Sequence, residues 1–450
     1  MEKNYIVYHL HSDLSNGVTN IDSVTKYNEY IDYAKSLGMK AMAFSEHGSV
    51  LEWVHKKNAI EKAGMKYIHA EEFYVTKELY QYPDDTELCE SLLGTDPEEA
   101  QKEIEEFLEG NKFQVRDNYH CVLIAKNYEG VKEINALSSK AFARDGHFYY
   151  QPRISFEELI NTSDNILITT ACIGGILASG TPDIQEEFLN FLVKNKDRCY
   201  LEIQHHCDDM QIKYNQYLAK ISTQYGIPLI AGTDTHSLND EHMRGRAIMQ
   251  RSKDVKFDSE SAWDMTFKSY DELIAAYEKQ FAIAKDVYLK AIEETNRMAD
   301  RIEEFYLDYS YKYPKLYEDS LAEIKKKIVS GIKWRGIDKK KNYKEYQDRI
   351  VYELKTYIHN NALDFMLLEE DYKTELRKDG VKYGYSRGSV SGSLIAYLLG
   401  ITEVDPIRFN LNFERFMNEE RVSLADIDSD WFKEDRWKVR EYLFLSLIHI

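Results

Sequence analysis

Over the first half of the chain, apolar and polar positions switch between two periods. Short apolar runs rich in β-branched and aromatic residues (YIVYHL, KAMAF, MKYIHAEEFYV, CVLIAK, NILITTA, RCYLEIQ and IPLIAGT) each have the length of one strand. Stretches of helical period lie between several of them: 25–37 closed by Gly38, 51–63 closed by Gly64, and 209–225. Strand–helix alternation predicts a parallel sheet, open or closed into a barrel, over 1–240. An acidic stretch at 78–113 interrupts it and reads as a solvated helical insert. Beyond about Asn239 the texture changes. Residues 241–375 are mainly helical by period, with a basic run at 339–344, and 376–450 hold a Gly/Ser-rich loop, the helix-like SLIAYLLG and a short acidic strand.

A chain of 450 residues predicts two or three domains, and 43% hydrophobic content suffices for their cores. No run of about 18 apolar residues is present, so no membrane span is expected. The N-terminal residues lack a signal-peptide layout, and five scattered cysteines show no disulfide framework; both point to a reducing cytoplasm. The net charge of −19 argues against a nucleic-acid surface, since such affinity comes from Lys and Arg on phosphates. Bound cations reverse the field of an acidic site, and the motifs outweigh the net charge.

Eleven of the thirteen histidines lie in the first 242 residues. Metal-competent side chains cluster at the ends of predicted strands: His9 and His11, Glu46 and His47, Glu72, Cys172, Asp234 and His236. In an α/β barrel that rim gathers groups from distant parts of the sequence. His-x-His on a strand places both rings on one face. Mixed imidazole and carboxylate donors suit zinc, manganese or iron. One such histidine alone is more often a structural residue; the paired pattern at both ends of the barrel makes a shared site.

The segments HLHSDLSNG, FSEHGS, AEEFYV, NYHCVLIAK, TTACIGG and AGTDTHS resemble, in order and spacing, the motifs of the PHP (polymerase and histidinol phosphatase) domain, in the form found in bacterial DNA polymerase III alpha subunits. The resemblance implies a distorted (β/α)7 barrel with up to three ions, Zn2+ or Mn2+, held by His9, His11, His47, Glu72, His120, Cys172, Asp234 and His236. His120 enters by resemblance alone, because it opens its predicted strand instead of ending it. Where the family commonly has Asp in a Ser-Asp-Gly step, this chain has Ser15-Asn16-Gly17. A neutral Asn16 predicts weaker metal binding there unless Asp13 or Asp22 compensates.

The C-terminal region carries a second constellation. In Tyr383–Ser393 the glycines allow close approach to a phosphate, which backbone N–H groups, serine hydroxyls, a helix end and Arg387 would bind. In ADIDSD (425–430) an extended chain puts Asp426, Asp428 and Asp430 on one face, a clustering of charge that cations relieve. The stretch from Ser386 to Trp431 resembles the palm of the same polymerase family. That implies Asp426 and Asp428 as catalytic carboxylates with Mg2+, and Arg387, Gly388, Ser389, Ser391, Gly392 and Ser393 as the triphosphate loop of a partial nucleotidyltransferase-like α+β palm. Ala425 stands where the family has Pro, and Trp431 where it has Phe. The family's third palm aspartate lies further along than this sequence reaches, and the apolar LSLIHI end reads as a truncation. The expected partners are DNA template-primer, dNTPs and replication proteins such as a sliding clamp. The rival readings are a PHP phosphoesterase or 3′–5′ exonuclease, and a PHP barrel serving as an inactive scaffold.

Overall fold

The computed structural model describes residues 4–255, 263–309, 314–420 and 426–449. The chain divides into two units, 1–306 and 307–450, each with its own buried core.

The first unit contains β1 (Ala41–Phe44), β2 (Lys66–Thr76), β3 (Tyr80–Gln81), β4 (Phe113–Gln114), β5 (Tyr119–Ala125), β6 (Arg153–Ser155), β7 (Ile166–Thr169), β8 (Cys199–Ile203) and β9 (Leu229–Ala231). Seven form one sheet in the order β1-β2-β5-β7-β8-β9, with β6 paired to the end of β2. The run YIVYHL, expected as the first strand, makes only isolated bridges, Val7 to Met42 and Leu10 to Thr235; these join both edges, so the sheet curls into a distorted barrel. Its strands are buried on both faces, which is why they read as near-continuous apolar runs. Ile6, Tyr8, Ala43, Ile68, Val122 and Ile230 fill one buried cluster, whereas Val7, Met42, Phe44, Leu123 and Ile168 belong to the larger one shared with the helices.

The sheet is not wholly parallel. β1-β2, β7-β8 and β8-β9 are parallel as expected, but β5 runs antiparallel to both β2 and β7. The insert at 78–113 is helical, as its composition predicts: Thr86–Ser91 and Pro97–Asn111 bury no residue, and the β3-β4 ribbon closes its neck. The change of texture near residue 240 does not coincide with the edge of the unit. Helices Tyr270–Gln280 and Lys285–Asp300 place Leu273, Tyr277, Tyr288 and Ile292 in the barrel's core, and Met298 joins the inner cluster.

The second unit packs helices Ser320–Trp334, Tyr343–His359 and Leu363–Lys378 around the short helix Leu394–Leu398. At Gly331 a Cβ would lie 2.2 Å from the Leu398 carbonyl oxygen, so only glycine permits that crossing. Ala425 and the final Ile450 fall outside the described residues. Among the described residues no helix is long and apolar enough to cross a membrane.

Candidate metal centre

At one rim of the barrel the strand ends deliver five imidazoles and three carboxylates to one buried space. His9 Nε2 lies 3.3 Å from Glu72 Oε1 and 3.4 Å from Asp234 Oδ1. His11 Nε2 is 3.3 Å from both Glu72 Oε2 and Asp234 Oδ1. His47 Nδ1 is 2.9 Å from Glu72 Oε2, and His120 Nδ1 is 3.0 Å from Glu72 Oε1. Cys172 Sγ reaches to 3.5 Å from His120 Nδ1. His236 faces Asp234 at 3.5 Å through Nδ1 and Asp22 at 3.3 Å through Nε2. The donors fall into three overlapping groups: His11-Asp22-His47-His236, His9-His11-Asp234 and His47-Glu72-His120. All eight residues named by resemblance thus meet at this rim. Glu72 stands between groups, one oxygen toward His9 and His120 and the other toward His11 and His47.

His120 joins because β5 runs backwards. His120, the second residue of β5, pairs with Tyr74 near the end of β2, so it lies at the rim where the neighbouring strands finish.

The donor set fits metal ions on a test internal to the structure. His9 Nε2, His11 Nε2, His47 Nδ1, Glu72 Oε2, Asp234 Oδ1 and Asp22 Oδ2 are all buried, and although ligand-type atoms face one another at 2.9–3.9 Å, none makes a hydrogen bond of proper geometry. Buried polar atoms are normally satisfied. Two donors on one tetrahedral ion at about 2.1 Å sit about 3.4 Å apart, the spacing found here. Asp234 also holds a left-handed backbone, φ 46, of the kind that persists where the surroundings enforce it.

Charge balance runs through the cluster. Burial raises the Glu72 and Asp234 carboxyls, but the surrounding histidines outweigh it and hold both well below the usual carboxylate range. Burial and repulsion from His47 and His236 bring His11 down to about 4. For His47, burial is outweighed by Asp22 and Glu72, which push it up to about 9.

Asn16 is not aimed into the centre. Its Oδ1 accepts from the Asp22 and Ser23 N–H groups at 2.6 and 3.2 Å, and its Nδ2 donates to the Ser23 carbonyl at 2.7 Å. The side chain clamps the loop that carries Asp22, and Asp22 supplies the carboxylate. Glu46 is likewise diverted, accepting from Ser12, Ser15 and Lys56.

Three other residues escape a reading of strand ends. Glu202, fully buried, takes His9 Nδ1 at 2.6 Å and also Tyr8 and Thr169, which leaves His9 Nε2 facing the centre. Asp22 lies in a loop with no periodic signal. His206 is buried and stacked on Trp263, with neither ring nitrogen hydrogen-bonded. The doublet His205-His206 after a strand was its only sequence signal.

In the second unit, residues 426–430 form no strand. Asp426, Asp428 and Asp430 are exposed, alternating with half-buried Ile427 and Ser429. Arg387 Nη1 is 2.9 Å from Asp430 Oδ1 and its Nε is 3.8 Å from Asp428 Oδ2. Gly388, at φ +73, would bring a Cβ 3.3 Å from Asp428, so the loop lies against the acidic segment. Ser389 and Ser391 stay partly open, but Gly392 and Ser393 are buried. The helix end is already occupied: Glu353 accepts from the N–H groups of Leu394 and Ile395 and from the Ser393 hydroxyl. A phosphate on this loop would therefore rely on Arg387 and the open part of the loop.

Residues 8–206 match the family described as the PHP domain, and residues 316–446 the bacterial DNA polymerase III alpha NTPase domain. The DNA polymerase III subunit alpha of Aquifex aeolicus is 30% identical over 98% of this chain and 37% of its own length. That of Borreliella burgdorferi is 29% identical over 98% of this chain and 36% of its own length. Among solved structures, a metal-dependent phosphoesterase from Bifidobacterium adolescentis aligns with 54% of this chain and 96% of its own at 14% identity and a TM-score of 0.28. The chain spans a little over a third of the length of the curated relatives it matches. With a match to the PHP domain followed by one to that NTPase domain, the chain is similar along 98% of its length to bacterial DNA polymerase III alpha subunits.

Proposed function

We propose that this chain serves template-directed DNA synthesis within a DNA polymerase III alpha protein, with the nucleotidyl-transfer site at 386–430. The observation that carries this reading is the exposure of Asp426 and Asp428, with Asp428 set against Gly388 and Arg387. Asp426 and Asp428 would hold magnesium, which when bound activates a primer 3′-hydroxyl and steadies the departing pyrophosphate. Arg387, 60% exposed, is free to exchange its carboxylate partners for phosphate oxygens. Two open carboxylates and a net charge of −19 do not by themselves hold a template-primer. Residues 1–450 alone are therefore expected not to extend a primer, whereas the chain joined to the remainder of such a subunit is expected to do so and to lose the activity in Asp428→Ala. Robust extension by 1–450 alone, or by the Asp428→Ala protein, would overturn the assignment.

A second activity is favoured by the six buried donor atoms in the barrel that make no hydrogen bond of proper geometry. This is metal-dependent hydrolysis of a phosphodiester, with a DNA 3′ end as substrate. Ions bound there, zinc or manganese by their donor types, would polarise the phosphate and lower the pKa of an attacking water. The chain's own residues fix the geometry: Glu72 spans neighbouring groups, Asp234 and Asp22 carry the anionic charge, and Glu202 orients His9. The assay is release of nucleotides from single-stranded DNA with manganese or zinc. No hydrolysis by metal-loaded protein, or equal hydrolysis by Glu72→Gln, would leave the barrel as a scaffold.

A further inference from the structure

Beside the metal-bearing rim, a cavity of about 430 Å³ is lined by Val18, Thr19, Arg116, Asn118, Tyr149 and Tyr150, among others. It is linked to the candidate metal residues through intervening contacts. Gly48, next to His47, has φ +55, and a Cβ there would lie 2.8 Å from Pro152 and 3.4 Å from Val18. Thr19 Oγ1 is 2.8 Å from the Tyr74 hydroxyl, and the Tyr74 ring stacks on His47 with centroids 5.6 Å and planes 10° apart.

The wall of this cavity has the chemistry of a stacking site. Tyr150 is 68% exposed and meets Tyr149 edge-on at 4.7 Å. The Arg116 guanidinium lies 4.8 Å from the centre of the Tyr150 ring, and no carboxylate pairs with it among the described residues. Tyr150 is held at φ 62, a conformation that an aromatic residue rarely adopts. The shelf is anchored from beneath. Buried Arg153 lies 5.4 Å from the Tyr149 ring centre and donates to the carbonyls of Val115, Asp117, Gly146 and His147, tying both sides of the cavity together. An exposed ring backed by a half-buried one, beside a guanidinium without a carboxylate partner, binds the face of a nucleobase and an adjoining phosphate, with little regard to sequence.

We infer that Tyr149, Tyr150 and Arg116 form a stacking shelf that holds a base of single-stranded nucleic acid whose end lies in the metal centre. The delivery of that end rests on the phosphoesterase reading above; the binding itself does not.

The test is fluorescence anisotropy of a labelled oligothymidylate with the full chain, with and without chelator, against an abasic oligomer of equal length. Asn tolerates left-handed backbone, so Tyr150→Asn removes the ring without straining the fold. It is expected to weaken oligothymidylate binding about 5- to 100-fold, with the abasic strand unaffected and bound metal retained. Tyr150→Phe should bind as the parent does. Arg116→Gln should flatten the dependence of log affinity on log salt by about 0.7. Tyr217→Asn, an exposed tyrosine on Asp209–Tyr225, is the control and should change neither. Parental binding by both Tyr150→Asn and Arg116→Gln, or equal loss for the abasic strand, would overturn the shelf. If instead the shelf variants lose binding while parental protein hydrolyses no DNA, the phosphoesterase reading falls and the shelf stands.

Discussion

Asp22 is the sharpest test of how the metal centre is built. Its Oδ1 is 3.3 Å from His236 Nε2 and 3.6 Å from His47 Nε2, and its Oδ2 is 3.9 Å from His11 Nδ1. These distances bracket the roughly 3.4 Å between two donors on one tetrahedral ion. Asp22→Asn leaves three imidazoles and no carboxylate in that group. Loss of a hydrogen bond that merely orients a ligand weakens metal binding about 10- to 100-fold, so removing the anionic ligand should weaken it by at least about 100-fold, or about 2.7 kcal/mol. Elemental analysis after dialysis should show one ion fewer per chain, and calorimetric titration should show the remaining sites unchanged. The converse substitution has an opposite expectation. In Asn16→Asp a carboxylate oxygen replaces the Nδ2 that donates to the Ser23 carbonyl at 2.7 Å. The two oxygens then repel, at a cost of about 1–3 kcal/mol in stability, with no gain in metal. An unaltered ion count in Asp22→Asn, or an extra ion in Asn16→Asp, would show that Asn16 and not Asp22 faces the metal.

Glu202→Gln should weaken metal binding about 10- to 100-fold, because the buried carboxylate that fixes His9 through Nδ1 loses its charge; titration calorimetry reads this directly. Chelation should lower the melting temperature of the barrel and leave that of the second unit unchanged, since a ligand at 100 times its Kd stabilises a fold by about 2.7 kcal/mol. Differential scanning calorimetry with and without chelator would show it. Glu353→Ala should destabilise the second unit by about 2–4 kcal/mol, because the N–H groups of Leu394 and Ile395 lose their buried acceptor. Denaturant titration followed at that unit's transition is the check.

The sequence by itself determined which residue types could bind metal, six of the runs that became strands (YIVYHL did not, and β6 was unforeseen) and which stretch became the exposed helical insert. Those features are local: strand length, alternation and composition act within a few residues of one another. His9-x-His11 and Asp234-x-His236 were legible as paired spacings at the ends of apolar runs, although neither pair lies on a strand: residues near 7–11 make only isolated bridges and β9 ends at Ala231. The pattern of strand ends did not place His120 with them; a motif resemblance did, and the tertiary structure gave the reason, because the direction of β5 is a property of its pairing with β2 and β7 and leaves no trace in its own composition. The same holds for Asp22 and Glu202. One sits in a non-periodic loop placed by the Asn16 clamp, and the other lies within a buried strand whose partner, His9, is 193 positions away. The Gly/Ser loop shows the reverse effect: its local pattern suggested an open helix end for phosphate, and Glu353 from a distant helix had already filled it. Short-range order writes itself into the chain, whereas a buried charge finds its partner only when folding brings the two together.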